Sequence, residues 1–311
     1  MSAPAPGTVQ TGDPATRKSR AATPPDRSRP RSRTGGWRVA IPFLLPAIVL
    51  LLLLRLVPTV AAISEAVPVG GERSPWSNFA YIFSDPSFWN AVRVTLLFAV
   101  IINPIQIALA LALAVLLTKR LPFVGLWRTL ILLPIAVPQV VSAIVWLVLL
   151  RPDGPLNGVA TALGLPPVPW LTEPAWALTS IMIVCSWVGV GYWMTFLVTG
   201  IREIPDSLYE ASSLDGAGGW RQFWSITLPS LRRPLLFVLV ADTVSNFLVF
   251  APVRVLTQGG PQGSTDLIMY NISDRAYTLG DTQAASAATL VLIVIVVAVV
   301  AVQFRLLPGK D

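Results

Sequence analysis

The chain has 311 residues, of which 54% are hydrophobic and 13% charged, with a formal net charge of +7. Long apolar runs almost free of charge read as membrane spans, not as a soluble core. There is no His and one Cys, Cys185. That excludes an internal disulfide and a Ser-His-Asp triad, and it argues against a zinc site. No GxxxxGK[ST] motif is present, so the chain is not expected to hydrolyse ATP itself.

Residues 1–38 carry eight basic side chains: Arg17, Lys18, Arg20, Arg27, Arg29, Arg31, Arg33 and Arg38. With six prolines and few large apolar residues, this segment reads as a disordered tail. The positive charge is concentrated there, which argues against a nucleic-acid surface. The apolar run from Val39 continues past twenty residues without a small-residue cleavage site, so a retained helix is expected in place of a signal peptide.

Six spans follow, at 39–62, 92–117, 127–150, 176–199, 233–256 and 284–306. Each is long enough to cross ~30 Å of hydrocarbon at ~1.5 Å per residue. The second contains Asn103, Pro104 and Gln106; the third contains Pro134 and Pro138. Such breaks survive in a membrane where neighbouring helices or a polar cavity satisfy the freed backbone groups. With the N-terminus inside, seventeen basic residues fall on inside segments. Three fall on outside loops: Arg73, Arg151 and Arg275. Arg55, Arg93 and Arg254 sit at span edges, where they snorkel. The positive-inside rule therefore places both termini and the 201–232 loop in the cytoplasm.

That loop contains EASSLDGAGGWRQFWSITLP, Glu210 to Pro229. Pro205 suits the first turn of a short helix. Gly216 suits the left-handed position just beyond it. Leu208, Ala211 and Ser212 share one face, and the small residues at 211–213 allow close approach of a partner. A second helical turn is expected after Gly218 and Gly219, with Trp220, Phe223 and Trp224 packing back on the bundle. Leu228-Pro229 should end it. Inside the spans, Asp242 and Asn246 lie four residues apart on one helical face. A carboxylate within a membrane is costly, so it should face a cavity or a partner. Asn103 and Gln106 are further candidates for a polar solute path, with Trp187 and Tyr192 as aromatic faces for sugar hydroxyls. Interhelical hydrogen bonding is the alternative for these polar residues. Trp146 and Trp176 read as interfacial anchors.

The order of Glu210-Ala211-Ser212, Asp215-Gly216-Ala217, Phe223, Ile226 and Leu228-Pro229 resembles the "EAA" loop of binding-protein-dependent ABC import permeases. The stretches PWLTEPAWA (169–177), SWVGVGYWM (186–194) and LTQGGP (256–261), with Thr265 after them, resemble the first-type permeases of carbohydrate importers, the maltose and glycerol-3-phosphate class. Pro134 and Pro138 followed by Trp146 are similar to that family's third span. The likeness covers roughly 76–305, the expected permease core.

It implies an all-α, six-helix integral-membrane protein of the type I importer fold, multi-pass in a bacterial inner membrane. It implies no cofactor on this chain, with ATP bound by two partner ATPase subunits. The other implied partners are a second, homologous permease and an extracytoplasmic solute-binding protein. Glu210 would meet basic residues of an ATPase, and Gly216 would make the turn. Ser212 stands where the family usually has Ala. The cargo implied is a sugar or related polyol. An ion-gradient-driven secondary transporter is the alternative, since broken helices and Asp242 would suit it. An integral-membrane enzyme is disfavoured by the absence of His and of paired carboxylates within a span.

Overall fold

The computed structural model describes residues 36–67, 74–119 and 122–306. Among them all regular structure is helical. Of the expected tail, residues 1–35 lie outside the described residues, as do Arg73, Arg120 and Lys310, while Gly36–Arg38 already belong to helix α1 (Gly36–Leu51). The chain divides into two units, Met1–Arg55 and Leu56–Asp311. The described part of the first is α1 and the start of a π-helical turn, Leu52–Leu56.

The second unit begins with α2 (Val57–Ala66) and α3 (Ser77–Ser84), followed by α4 (Pro86–Thr118). Asp85 starts α4. Its carboxylate accepts from the Ser87 N–H at 2.8 Å, and Pro86 occupies the first turn, where no N–H is needed. Pro104 lies within this 33-residue helix without ending it.

The third expected span is not one straight helix. α5 (Val124–Leu132) runs into a 3-10 turn, Leu133–Ala136, and α6 (Gln139–Leu149) leaves at 100°. Two prolines cause the break. Pro134 and Pro138 each lack the N–H that an α-helix would use. Val137, preceding a proline, is driven to an extended backbone at φ −91°, ψ 126°.

After α7 (Pro155–Ala162) comes α8 (Pro174–Arg202), 29 residues without interruption. α9 (Asp206–Leu214), α10 (Gly219–Gln222), a π turn at Phe223–Thr227 and α11 (Leu228–Ser230) make up the 201–232 loop. The fifth expected span is also broken. α12 (Arg232–Phe247) stops, Leu248–Phe250 is irregular, and α13 (Ala251–Leu256) resumes with Pro252 in its first turn. α14 (Ile268–Tyr277) and α15 (Thr282–Leu306) complete the chain. Among the described residues, five helices are long and apolar enough to cross a membrane, or six if the bent pair counts as one span.

The six expected spans thus correspond to five helical segments and one bent pair. α14 was not expected. Its apolar positions, Ile268 and Ile272, with buried Asn271 and Arg275, follow a helical period that a charged loop reading overlooks.

α4 and α8 pack along each other and carry the bundle. In lipid, exposed leucines cost nothing, so packing depends on small residues that bring backbones close. Ala110 and Ala114 of α4 are fully buried in one apolar cluster with Trp193, Met194 and Leu197 of α8 and Val238 of α12. A second cluster joins Phe98 and Ile102 to Ala143, Ile181, Val253 and Leu267. A third joins Phe88 and Val92 to Phe247, Ile268 and the alanines of α15.

The start of α4 is tied to α14 by a polar network. Arg275, 6% exposed, pairs with Asp85 and donates from Nε to Asn271 Oδ1 at 2.8 Å. Asn271 donates to Ser87 Oγ at 3.1 Å and to Asp266 Oδ2 at 3.0 Å. Asp85 is partly desolvated, which alone would raise its pKa. Its bonds with Arg275 and Ser87 outweigh this and hold it below the usual carboxylate range.

Asp266 behaves oppositely. Burial pushes it up to about 6, and its Oδ1 has no hydrogen-bond partner among the described residues. Its ionised form therefore opposes folding fully above about 6. The penalty shrinks as pH falls from there toward the ordinary value of 3.8. Asp266→Asn keeps the acceptor for Asn271 and removes the charge. The variant should melt higher than the parent at pH 8, with the difference narrowing between pH 6 and pH 4. Thermal unfolding in detergent at those three pH values checks this; an equal difference at all three would refute it.

Candidate functional site

Two places concentrate the residues singled out by sequence: the 201–232 loop and a polar cavity within the bundle.

The loop is built on α9. Ile204 is buried and anchors its entry, and Pro205 flanks the first helical residue with φ −60°, ψ 131°. Its exit is closed by two backbone bonds. Gly216 N–H donates to Ser213 O at 3.1 Å, and Ala217 N–H donates to Ser212 O at 2.9 Å. This pair of bonds defines a Schellman end, which requires a left-handed residue. Gly216 supplies it, with φ 77°.

Side chains then lock the two arms of the loop. Tyr209 Oη and Thr227 Oγ1 share a hydrogen bond at 2.9 Å. The Gln222 amide donates to Ser212 Oγ and Ser213 Oγ, both at 2.9 Å. Ser212, the departure from the usual Ala, is thus a bonding partner. Tyr209, Gln222 and Thr227 were not anticipated; their polar side chains at one end of each arm were the available signal.

This framework leaves Glu210, Ala211, Asp215, Gly216 and Pro229 exposed, while Ser212, Ala217, Phe223, Ile226 and Leu228 are half-buried. Glu210 makes no ion pair or side-chain hydrogen bond among the described residues. Leu208, expected on one face with Ala211 and Ser212, is 47% exposed. The aromatic trio differs from expectation. Trp220, Phe223 and Trp224 pack on one another with centroids 5.4–6.0 Å apart, but Trp220 and Trp224 stay exposed. The π turn from Phe223 takes these residues out of step with a straight helix, so only Phe223 reaches inward. Nor does Leu228-Pro229 end the turn: the helix continues to Ser230, and the chain bends at buried Leu231.

The cavity has a volume of about 180 Å³. α4 contributes Gln106; α6 contributes Gln139 and Ser142; α12 contributes Asp242, Ser245 and Asn246. α8 supplies Cys185, Gly189, Tyr192 and Trp193, and the break after α12 supplies Val249. Asp242 is 1% exposed and is held by donors. Trp193 Nε1 donates to its Oδ1 at 2.6 Å, and Asn246 Nδ2 donates to the same oxygen at 3.2 Å. The Gln106 amide, oriented so that both its groups are satisfied, donates to Asp242 Oδ1 at 2.7 Å and accepts from Ser186.

Behind this layer, Asn246 donates to Asn103 Oδ1 at 2.6 Å. Asn103 donates to Thr243 Oγ1 at 2.8 Å, and Gln303 of α15 donates to the same hydroxyl at 2.7 Å. Gly189 makes room for Gln106: a Cβ there would lie 3.1 Å from the end of the Gln106 side chain.

The structure therefore brings Asp242, Asn246, Gln106 and Tyr192 to one cavity and places Asn103 just behind it. It does not bring Trp187, whose ring packs edge-on against Trp146 at 5.8 Å and is not among the lining residues. The lining positions 185, 189, 192 and 193 follow one face of α8, and Trp187 lies off it. Trp193, Gln139 and Ser142 were missed. Ser142 Oγ is buried, has no hydrogen-bond partner among the described residues and lines the cavity. Its spacing of three from Gln139, directly after Pro138, was the legible clue.

Among the described residues no cluster of three His, Cys, Asp or Glu side chains suits a metal ion. The arrangement offers amide and hydroxyl groups, one carboxylate and an aromatic edge. Such groups can donate and accept hydrogen bonds to the hydroxyls of a solute.

Comparisons with known proteins identify the family. Residues 106–310 match the model of the binding-protein-dependent transport system inner membrane component. The chain is 33% identical over 252 residues to the lactose transport system permease protein LacF of Rhizobium radiobacter, covering 77% of this chain and 83% of that one. It is 34% identical over 215 residues to the trehalose/maltose transport system permease protein MalF of Thermococcus litoralis, covering 69% and 72%. A crystal structure of a bacterial alginate ABC transporter, in complex with a periplasmic protein bound to an alginate pentasaccharide, superposes with a TM-score of 0.79 at 22% identity, covering 88% of this chain and 94% of that one. On this family match and these identities, the chain belongs to the binding-protein-dependent transport system inner membrane components, the permease subunits of ABC importers.

Proposed function

We propose that this permease passes a sugar or related polyol across a bacterial inner membrane, with Asp242, Asn246, Gln106 and Tyr192 on the solute path. The observation that carries the reading is the cavity itself, where a buried carboxylate and amides from three helices converge. The lactose and trehalose/maltose relatives support the substrate class. At about 180 Å³ the cavity is smaller than the ~300–1,000 Å³ of a complete small-molecule pocket. That size suits a half-site completed by a second, homologous permease.

Both termini and the 201–232 loop face the cytoplasm in this reading, in keeping with the seventeen-to-three division of basic residues. Exposed Glu210 docks on one of two ATPase subunits, which bind the ATP. An extracytoplasmic binding protein delivers the solute to the opposite end. ATP closes the ATPase pair, the loop moves with it, and differential affinity of the ATPases for the two permease states biases the equilibrium. An ion-gradient-driven carrier would also use Asp242. Uptake by reconstituted vesicles that needs ATP and ignores ionophores separates the two.

The orientation has its own test. Single cysteines at Ser213 and Leu279, in a Cys185→Ser background, occupy exposed positions. An impermeant thiol reagent applied to intact cells should label position 279 and spare 213. Labelling of 213 alone would invert the topology and remove the docking role of Glu210.

A further inference from the structure

Where α4 ends against the 201–232 loop there is a cleft of about 850 Å³. One wall is a stripe on α4: Ala108, Leu111, Ala112 and Val115. These positions repeat at three and four residues, so they form one continuous apolar face. Thr118 and Lys119 at the end of α4 and Arg202 at the end of α8 line the cleft too. The loop closes the far side with Tyr209, Trp220 and Phe223. Asp206 is the single acidic lining residue. Lys119 and Arg202 are exposed and form no ion pair or side-chain hydrogen bond among the described residues.

We propose that this cleft binds an anionic phospholipid of the cytoplasmic leaflet. Lys119 and Arg202 would hold its phosphate, and one acyl chain would lie along the α4 stripe. The dimensions match. From Ala108 to Thr118 is ten residues, about 15 Å at the α-helical rise, or half of a ~30 Å hydrocarbon core. The stripe is thus one leaflet long, with two cations at its polar end. A protein helix could cover the stripe equally well, but it would leave both cations without a counter-charge. A phosphate supplies one, and Trp220 at the cleft mouth is the residue type that favours headgroup depth.

The orientation is taken from the reading above. The consequence is new: a lipid in this cleft touches α4, α8 and the loop together, so it would fix the loop against the bundle and make ATP-coupled uptake depend on headgroup charge.

The test uses the purified full-length chain and native mass spectrometry, titrating phosphatidylglycerol, phosphatidylcholine and inorganic phosphate. The parent should bind one phosphatidylglycerol tighter than phosphatidylcholine, and inorganic phosphate should not displace it. Lys119→Ala combined with Arg202→Ala should weaken that binding on the order of thirtyfold. Arg221→Ala, a charge on the same loop but outside the cleft lining, should change nothing. A photoreactive acyl chain should tag the peptide holding residues 108–115. Equal binding of the two lipids, unchanged affinity in the double variant, or tagging confined to other helices would overturn the proposal. So would displacement by free phosphate. Shielding of the 108–115 peptide in a complex with partner subunits would assign the cleft to a protein. None of these readouts involves solute uptake, so failure here is distinct from failure of the importer reading.

Discussion

Glu210→Lys and Gly216→Val should each abolish solute uptake while inserting normally, because neither changes a span. Their reasons differ. Glu210 is exposed and makes no internal polar contact, so its replacement costs the fold nothing visible. Its effect must come from a partner. A charge-assisted hydrogen bond at a docking surface contributes on the order of 1.5–3 kcal/mol, and reversing the charge adds repulsion.

Gly216 acts through backbone alone. A Cβ there would meet nothing within 4 Å, yet φ is 77°, a conformation that a β-branched residue resists. Gly216→Val should therefore open the Schellman end and release the bonds that Gln222 makes to Ser212 and Ser213. Gly216→Asn tolerates the left-handed region and should retain most uptake. Uptake and ATP hydrolysis measured together on reconstituted complexes decide the matter. Wild-type uptake in both Glu210→Lys and Gly216→Val would show that this loop does not couple.

Asp242→Asn should raise the solute concentration needed for half-maximal uptake about tenfold or more, with assembly intact. Three donors aim at this carboxylate: the Trp193 indole and the amides of Gln106 and Asn246. All three reach Oδ1, so asparagine keeps an acceptor for them but removes the charge that strengthens each bond. The difference between a hydrogen bond to a charged and to a neutral acceptor is about 1 kcal/mol each. Asn246→Ala should act in the same direction, since it removes the link between Asp242 and Asn103. Concentration-dependent uptake is the measurement. Unchanged curves for both variants would assign these residues to holding the helices together.

The sequence made some of this legible and concealed the rest for physical reasons. Helical segments were readable because lipid demands long apolar runs, and Gly216 because few residues tolerate its backbone. Asp242 and Asn246 were readable as one face because four residues make about one helical turn. The breaks were harder. Pro134 and Pro138 announced a disturbance, yet their spacing does not state a 100° bend. Pro252 was overlooked, although it lies in the first turn of α13, just after the irregular Leu248–Phe250. Gln139 and Ser142 became cavity residues only because of the bend at Val137. Trp187 was misplaced because it lies off the helical face that positions 185, 189, 192 and 193 share. Tyr209, Gln222 and Thr227 bond across up to eighteen residues of loop, and no local pattern encodes such pairings.

The two broken helices have a shared geometry with a mechanical consequence. α6 and α13, the segments beyond the breaks, pack against each other and belong to the apolar cluster of Phe98, Ile102 and Ile181. α5 and α12, the segments before the breaks, contribute to the cluster of Ala110, Ala114 and Leu197. The discontinuities therefore fall between two of the three apolar clusters, and α4 and α8 run unbroken through both of these. A bundle divided this way is expected to bend along a crease through Val137 and Leu248–Phe250, beside the cavity, which would change access to Asp242. Amide exchange should then show two cooperative blocks that meet at the crease, and not one block spanning the bundle.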